Sequence, residues 1–196
     1  MSRRSSGSLT PMGRIVMPVS VSLDGFHEDA GGGLGWQIID EELHEHFNSE
    51  LARMSAFLDG RVSYELMVRY WPTADQDPAS TPAEVEFARI WREMPKIVYS
   101  RTLEQAGWST TIAREIDADE IRALRDRPGG DMFVGGAGLA AGFQRLDLID
   151  EYRVYVHPVV IGAGKPLFPP GSRLDLTLAG SRTFGNGVTL LRYSTR

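Results

Sequence analysis

Asp131-Met132-Phe133-Val134-Gly135-Gly136-Ala137-Gly138-Leu139-Ala140-Ala141-Gly142-Phe143 is the stretch whose reading decides the fold. A short apolar strand runs into a glycine cluster and then opens a helix. The strand end delivers the chain to one point, glycine lets backbone approach a ligand closely, and the free N–H groups and dipole of a new helix attract negative charge. Gly136, Gly138 and Ala141 stand in the dinucleotide register G-x-G-x-x-A, although an ordinary strand-to-helix turn can use the same residues. Position argues against a Rossmann domain. Only about a quarter of the chain follows the cluster, reading as strands and turns, too little for the remaining strand–helix units of a doubly wound sheet. No acidic residue closes a second strand about twenty residues on, where a ribose-binding carboxylate belongs. The stretch therefore predicts a phosphate site in a different nucleotide fold.

Working outward, Arg14 to Ser22 is rich in β-branched residues and reads as a first strand ending at Leu23-Asp24-Gly25. After the glycine loop 30–35, Asp40 can cap a helix whose Leu43, Phe47, Leu51 and Met54 recur at helical spacing, leaving His44, Glu45 and Asn48 on the polar face. Ala56-Phe57-Leu58 is a buried strand broken at Asp59-Gly60, with a helix over Val62 to Tyr70. Trp71 to Pro82 reads as a loop, Ala83 to Glu93 as a polar helix, Lys96 to Ser100 and Thr110 to Ile116 as strands, and Asp117 to Arg127 as a helix. The motif helix spans Leu139 to Arg145 and leads to a strand over Tyr152 to His157. The chain closes in two strands, Leu174 to Phe184 and Val188 to Tyr193, joined at Gly185-Asn186-Gly187, a hairpin signal.

Composition narrows the function. With 196 residues, 42% of them hydrophobic, the chain can bury one core, and a net charge of −5 gives no basic footprint for nucleic acid. No apolar run approaches the roughly 20 residues that span a bilayer. The absence of cysteine excludes disulfides, thiolate catalysis and cysteine-ligated metals, and it suits the cytoplasm. Residues 1–12 carry an arginine pair without an apolar core behind it, so they read as a disordered tail before a single domain over 13–196.

Two further strand ends carry phosphate-binding groups. Gly60, Arg61 and Ser63 offer a flexible turn, a cation and a hydroxyl at a helix start, although Arg61 can equally be a solvated charge and Ser63 a cap. Ser100-Arg101-Thr102 pairs hydroxyls with an arginine, the equipment for a phosphate monoester. If the strands are parallel, all three ends lie on one sheet edge, where open α/β sheets bind ligands.

These residues resemble the dihydrofolate reductase-like proteins, most closely the reductase domain of the bifunctional riboflavin-biosynthesis deaminase/reductase and its stand-alone relatives. The resemblance spans Gly13 to Ser194. Its carriers are Ser22-Leu23-Asp24-Gly25, Gly60 to Glu65, Lys96 to Leu103, Gly135 to Leu139, and His157-Pro158-Val159-Val160-Ile161-Gly162-Ala163-Gly164. It implies an α/β fold with a mostly parallel central sheet flanked by helices and a C-terminal antiparallel hairpin. It also implies a homodimer and NADPH as hydride donor to a small heterocyclic, pyrimidine- or pterin-like, or carbonyl substrate. By position, Gly60, Arg61 and Ser63 would contact the cofactor phosphates, Ser100 and Arg101 the 2′-phosphate, and Gly135, Gly136, Ala137, Gly138 and Leu139 the pyrophosphate.

On the substrate side the resemblance places Ser22, Asp24 and Gly25 beside the nicotinamide. Asp24 would orient the acceptor, or else simply form a turn with Gly25, and Trp36 would cover the substrate or belong to the core. Dihydrofolate reductases carry an acid on the first long helix; Asp40, Glu41, Glu42 and Glu45 stand in that region without a clear match, which argues against folate as substrate. His44 and His46 point about 200° apart on a helix, so they share no metal and read as surface histidines. His157 faces the cleft or is a buried, hydrogen-bonded histidine. No G-x-S-x-G elbow is present. A related reductase with a drifted acceptor or a deazaflavin cofactor, and a non-catalytic nucleotide-binding dimer, are the alternative readings.

Overall fold

The computed structural model describes residues 13–127 and 129–196; the expected tail over 1–12 lies outside the described residues. Strands β1 (Ile15–Ser22), β3 (Ala56–Gly60), β4 (Lys96–Tyr99), β5 (Thr110–Ala113), β6 (Met132–Gly135) and β7 (Glu151–His157) are joined side by side in parallel pairs. β9 (Leu176–Thr183) and β10 (Thr189–Thr195) form the expected hairpin, and β10 runs antiparallel beside β7. The sheet order is β5-β4-β3-β6-β1-β7-β10-β9, and the short strands β2 (Phe26–Asp29) and β8 (Gly164–Pro166) pair separately. The fold is α/β and dihydrofolate reductase-like.

Strand alternation decides the layers. Ile15, Met17, Leu58 and Val134 point to one face, where Ile121 of α4 (Ala118–Arg125) and Ala140 and Phe143 of α5 (Ala137–Arg145) pack on them. Val16, Phe57 and Val98 point to the other, against Leu51 of α1 (Glu41–Leu51), Tyr64 of α2 (Arg61–Val68) and Phe87, Ile90 and Trp91 of α3 (Pro82–Glu93). The helix expected to be polar over Ala83 to Glu93 is thus amphipathic, with Trp91 fully buried. The expected loop from Trp71 holds a 3-10 helix over Trp71–Gln76, begun by Pro72, and its Ala74 is buried. The β2–β8 pair was not legible in sequence, because Phe-His-Glu-Asp shows no apolar alternation.

One irregularity shapes the site. β1 pairs with β6 only at Ile15–Met132 and Val16–Phe133, whereas it pairs with β7 from Val16 to Ser22. Arg14 O accepts from Met132 N at 2.7 Å, so even-numbered backbone groups of β1 aim at β6. Pro18 is the next position that would donate across, and it has no N–H to give. The two strands part there, and Pro18 and Ser20 face the gap.

Candidate active site

The two glycine junctions face one another. β3 and β6 are neighbours with Asp59 aligned beside Gly135. From these strand ends the chain leaves into α2 on one face of the sheet and α5 on the other, which makes a topological switch point, the place where open α/β sheets bind ligands. The approach is close. A Cβ on Gly136 (φ +82°) would lie 2.5 Å from Ser63 Oγ, and one on Gly135 would lie 2.2 Å from Asp59 Oδ1. Only glycine fits either position.

Helix capping sets these two helices apart. α1, α3 and α4 are each capped by a side chain: Asp40 accepts from Leu43 N, Thr81 from Glu84 N in a capping box, and Asp117 from Asp119 N and Glu120 N. α2 and α5, with Gly60 and Gly136 at their N-caps, have no side-chain cap. Their first-turn N–H groups stay available to an anion at the crevice. A dinucleotide pyrophosphate suits these uncapped N–H groups in charge, and the space over Gly138 is open.

The structure places the other predicted groups around that crevice unequally. Ser63 lies directly under Gly136, and Ala137, Gly138 and Leu139 form the first turn of α5. Arg61 forms an exposed ion pair with Glu65 at 3.0 Å. Ser100 Oγ accepts from Thr102 N at 3.2 Å and Leu103 N at 2.9 Å, shaping its own turn, while Arg101 is exposed with no ion-pair partner among the described residues. Asp59, buried beneath Gly135, is pushed up to about 7 by burial, against the opposing charge of Lys96. Burial in turn brings Lys96 down to about 8; its Nζ donates to Met94 O at 2.7 Å and Trp108 O at 2.8 Å.

Beside the crevice, at the gap between β1 and β6, a cavity of about 640 Å³ runs between the sheet and α1, α3 and the 3-10 helix. Phe47, Met54, Trp71, Phe87, Phe133 and Tyr155 give it aromatic and apolar walls. Its size and lining suit a small-molecule site. Asp24 does not line it. The Asp24 carboxylate accepts from Gly162 N at 2.8 Å and Ile161 N at 3.3 Å, and the Ser22 hydroxyl beside it is the main cause that holds it below the usual carboxylate range. The exposed Asp24 thus ties the turn after β1 to the loop after β7. Ser22 Oγ accepts from Phe26 N at 3.0 Å, holding the turn at Gly25 (φ +87°). Trp36 packs edge-on to His157, ring centroids 5.5 Å apart, and His157 is the buried alternative: its Nδ1 accepts from Ile38 N at 3.1 Å.

The expectation of surface histidines on α1 fails. His44 lines the cavity against Trp71, ring centroids 6.1 Å apart, and His46 Nε2 lies 3.1 Å from Tyr155 Oη. Burial lowers the pKa of both. The reason is that α1 is covered twice, by the sheet on one side and by α3 on the other, so its second stripe is also enclosed; Asn48 Nδ2 donates to Ala83 O at 2.8 Å inside that contact. Among the described residues no cluster is arranged to hold a metal, and no helix is long and apolar enough to cross a membrane.

The family model described as the RibD C-terminal domain matches residues 14–190. The chain belongs to this family. Within it, the Bacillus subtilis protein YyaP is 35% identical over 92% of this chain and 94% of its own length. Among solved structures, a putative riboflavin biosynthesis protein from Shewanella sp. PV-4 superposes with a TM-score of 0.69 at 19% identity, over 93% of this chain and 99% of that one. The Thermotoga maritima diaminohydroxyphosphoribosylaminopyrimidine deaminase/5-amino-6-(5-phosphoribosylamino)uracil reductase gives 0.63 at 15% identity, over 94% of this chain and 57% of that one. At these identities the solved structures establish the shared RibD-type fold.

Proposed function

We propose that this RibD C-terminal domain protein is an NADPH-dependent reductase of a small heterocyclic acceptor, pyrimidine- or pterin-like. The observation that carries the reading is the adjacency of two uncapped helix N-termini at the β3–β6 switch point and an aromatic-walled cavity at the neighbouring β6–β1 gap. Gly60, Arg61, Ser63 and residues 135–139 would hold the pyrophosphate, and Ser100 and Arg101 the 2′-phosphate, while Pro18 and Ser20 line the neighbouring cavity. When bound, the reduced nicotinamide supplies a hydride to an electrophilic carbon of the acceptor and is left oxidised.

The chain's own task is then positioning, water exclusion and one proton. His44 is the group suited to deliver it to the acceptor nitrogen or oxygen, taking a replacement proton from solvent. The other titratable groups of the cavity are committed: Glu50 is ion-paired with Arg153, Glu84 is held ionised chiefly by the Thr81 N–H, and burial pushes the Tyr155 phenol upward. Asp59 stays a buried support under Gly135. The protein acts on small molecules in the cytoplasm as a homodimer, without nucleic-acid or membrane partners. NADPH oxidation across a panel of aminopyrimidines, pterins and quinones tests the reading. Turnover of a heterocycle supports it, and NADPH binding without oxidation of any member refutes the reductase.

A further inference from the structure

Among the described residues, no cation of the cavity is free to meet a phosphate. Its polar lining consists of Ser20, Gln37, His44, Glu50, Glu84 and Arg153. Arg153 is the only guanidinium or ammonium among the lining residues, and its side chain is 5% exposed. Every edge of it meets a carboxylate: Nε donates to Glu151 at 2.6 Å, one terminal nitrogen to Glu50, and the other lies 3.6 Å from Asp131. Arg14 and Arg192 share the same acids, so three guanidiniums balance three carboxylates. Charge inside this cluster is spent on the fold.

The remaining groups tip the cavity negative. Glu84 Oε2 accepts from Thr81 N at 2.7 Å, which favours its ionised form, and Glu84 and His44 both line the cavity. Burial lowers the His44 pKa from its usual value, and the Glu84 charge opposes that shift. The cofactor crevice is the reverse, with two helix N-termini and Arg61 and Arg101 nearby. Phosphate recognition is thus confined to one end of the site, and the other end is aromatic, nearly uncharged and bordered by an anion.

We propose that the acceptor is an unphosphorylated planar heterocycle, uncharged or cationic, and that the cavity selects against phosphorylated pyrimidines such as the one in the Thermotoga enzyme's name. The aromatic walls offer stacking to a flat ring of either kind, so they recognise the ring and not the tail. A phosphate dianion taken into the cavity would lose its hydration with no cation to replace it and would meet Glu84, and an unpaired buried charge is a strong basis for rejection. This inference rests on the reading of the cavity as the acceptor site of a reductase.

The test compares 5-amino-6-(ribosylamino)uracil with its 5′-phosphate. NADPH affinity is measured first, then kcat/KM for each compound, and binding of each to the NADP⁺-loaded protein by quenching of tryptophan fluorescence. The unphosphorylated compound is expected to bind or react at least about tenfold better. Glu84→Gln, which preserves the capping box while removing its charge, is expected to shrink that ratio several-fold. A phosphorylated compound equal or preferred overturns the inference, as does failure of both compounds to bind a protein that holds NADPH. Failure to bind NADPH at all refutes instead the reductase reading on which it rests.

Discussion

Replacing Gly136 by alanine probes the clamp at its tightest point. The residue has φ +82° and ψ 124°, a region costing an L side chain roughly 1–3 kcal/mol. The added methyl would also stand 2.5 Å from Ser63 Oγ and 3.6 Å from Ser63 Cβ, an overpacking of about 1–3 kcal/mol. Together these predict a loss of roughly 2–6 kcal/mol, lowering the urea midpoint by about 1–3 M at an m-value of about 2 kcal/mol/M. The displaced first turn of α5 would also lose charge-assisted bonds to the pyrophosphate, weakening NADPH about 10- to 100-fold. Urea unfolding and NADPH titration are run on Gly136→Ala, Ser63→Ala and the double variant. Removing Ser63 Oγ should recover the steric share of the stability loss and leave the backbone share. Wild-type stability in Gly136→Ala would refute the geometry, and lost stability with unchanged NADPH affinity would remove Gly136 from the cofactor site.

Arg101→Ala should reduce the preference for NADPH over NADH about tenfold or more, measured as the ratio of the two dissociation constants; an unchanged ratio removes Arg101 from the 2′-phosphate site. His44→Gln should slow single-turnover hydride transfer about a hundredfold with NADPH affinity retained. In the wild type that rate should fall as pH rises through the His44 pKa, which burial sets below the usual histidine value, and the glutamine variant should show no such fall. Burial pushes Asp59 up from the ordinary aspartate value of 3.8 to about 7 in the folded state, so its protonated form stabilises the fold at low pH. That contribution, at most roughly 4 kcal/mol, is fully present below about pH 4 and is lost as pH rises to about 7. Asp59→Asn should remove the corresponding drop in urea midpoint between roughly pH 4 and 7, and a drop that persists would place its origin elsewhere.

What could be read from the chain was whatever depends on neighbours in sequence. The glycine clusters at 60 and 135–138 mark strand-to-helix turns whatever the rest of the molecule does, and Gly185-Asn186-Gly187 marks its hairpin for the same reason. The cavity could not be read this way. It exists because β6 stops pairing with β1 where Pro18 lacks a donor, a relation between segments more than a hundred residues apart. His44 looks like a solvent-facing residue until α3 and Trp71 close over it, and the bond from Gly162 N to Asp24 joins residues 138 apart. A one-stripe reading of α1 cannot anticipate a helix packed on two sides.

NADPH titration of the intact protein, followed by tryptophan quenching and competed with 2′,5′-ADP, bears most directly on the central claim that the β3–β6 crevice holds the cofactor. The account predicts saturable binding at about micromolar concentration, displaced by 2′,5′-ADP and weakened in Gly136→Ala. Folded protein that shows no saturable binding up to about millimolar NADPH would contradict it.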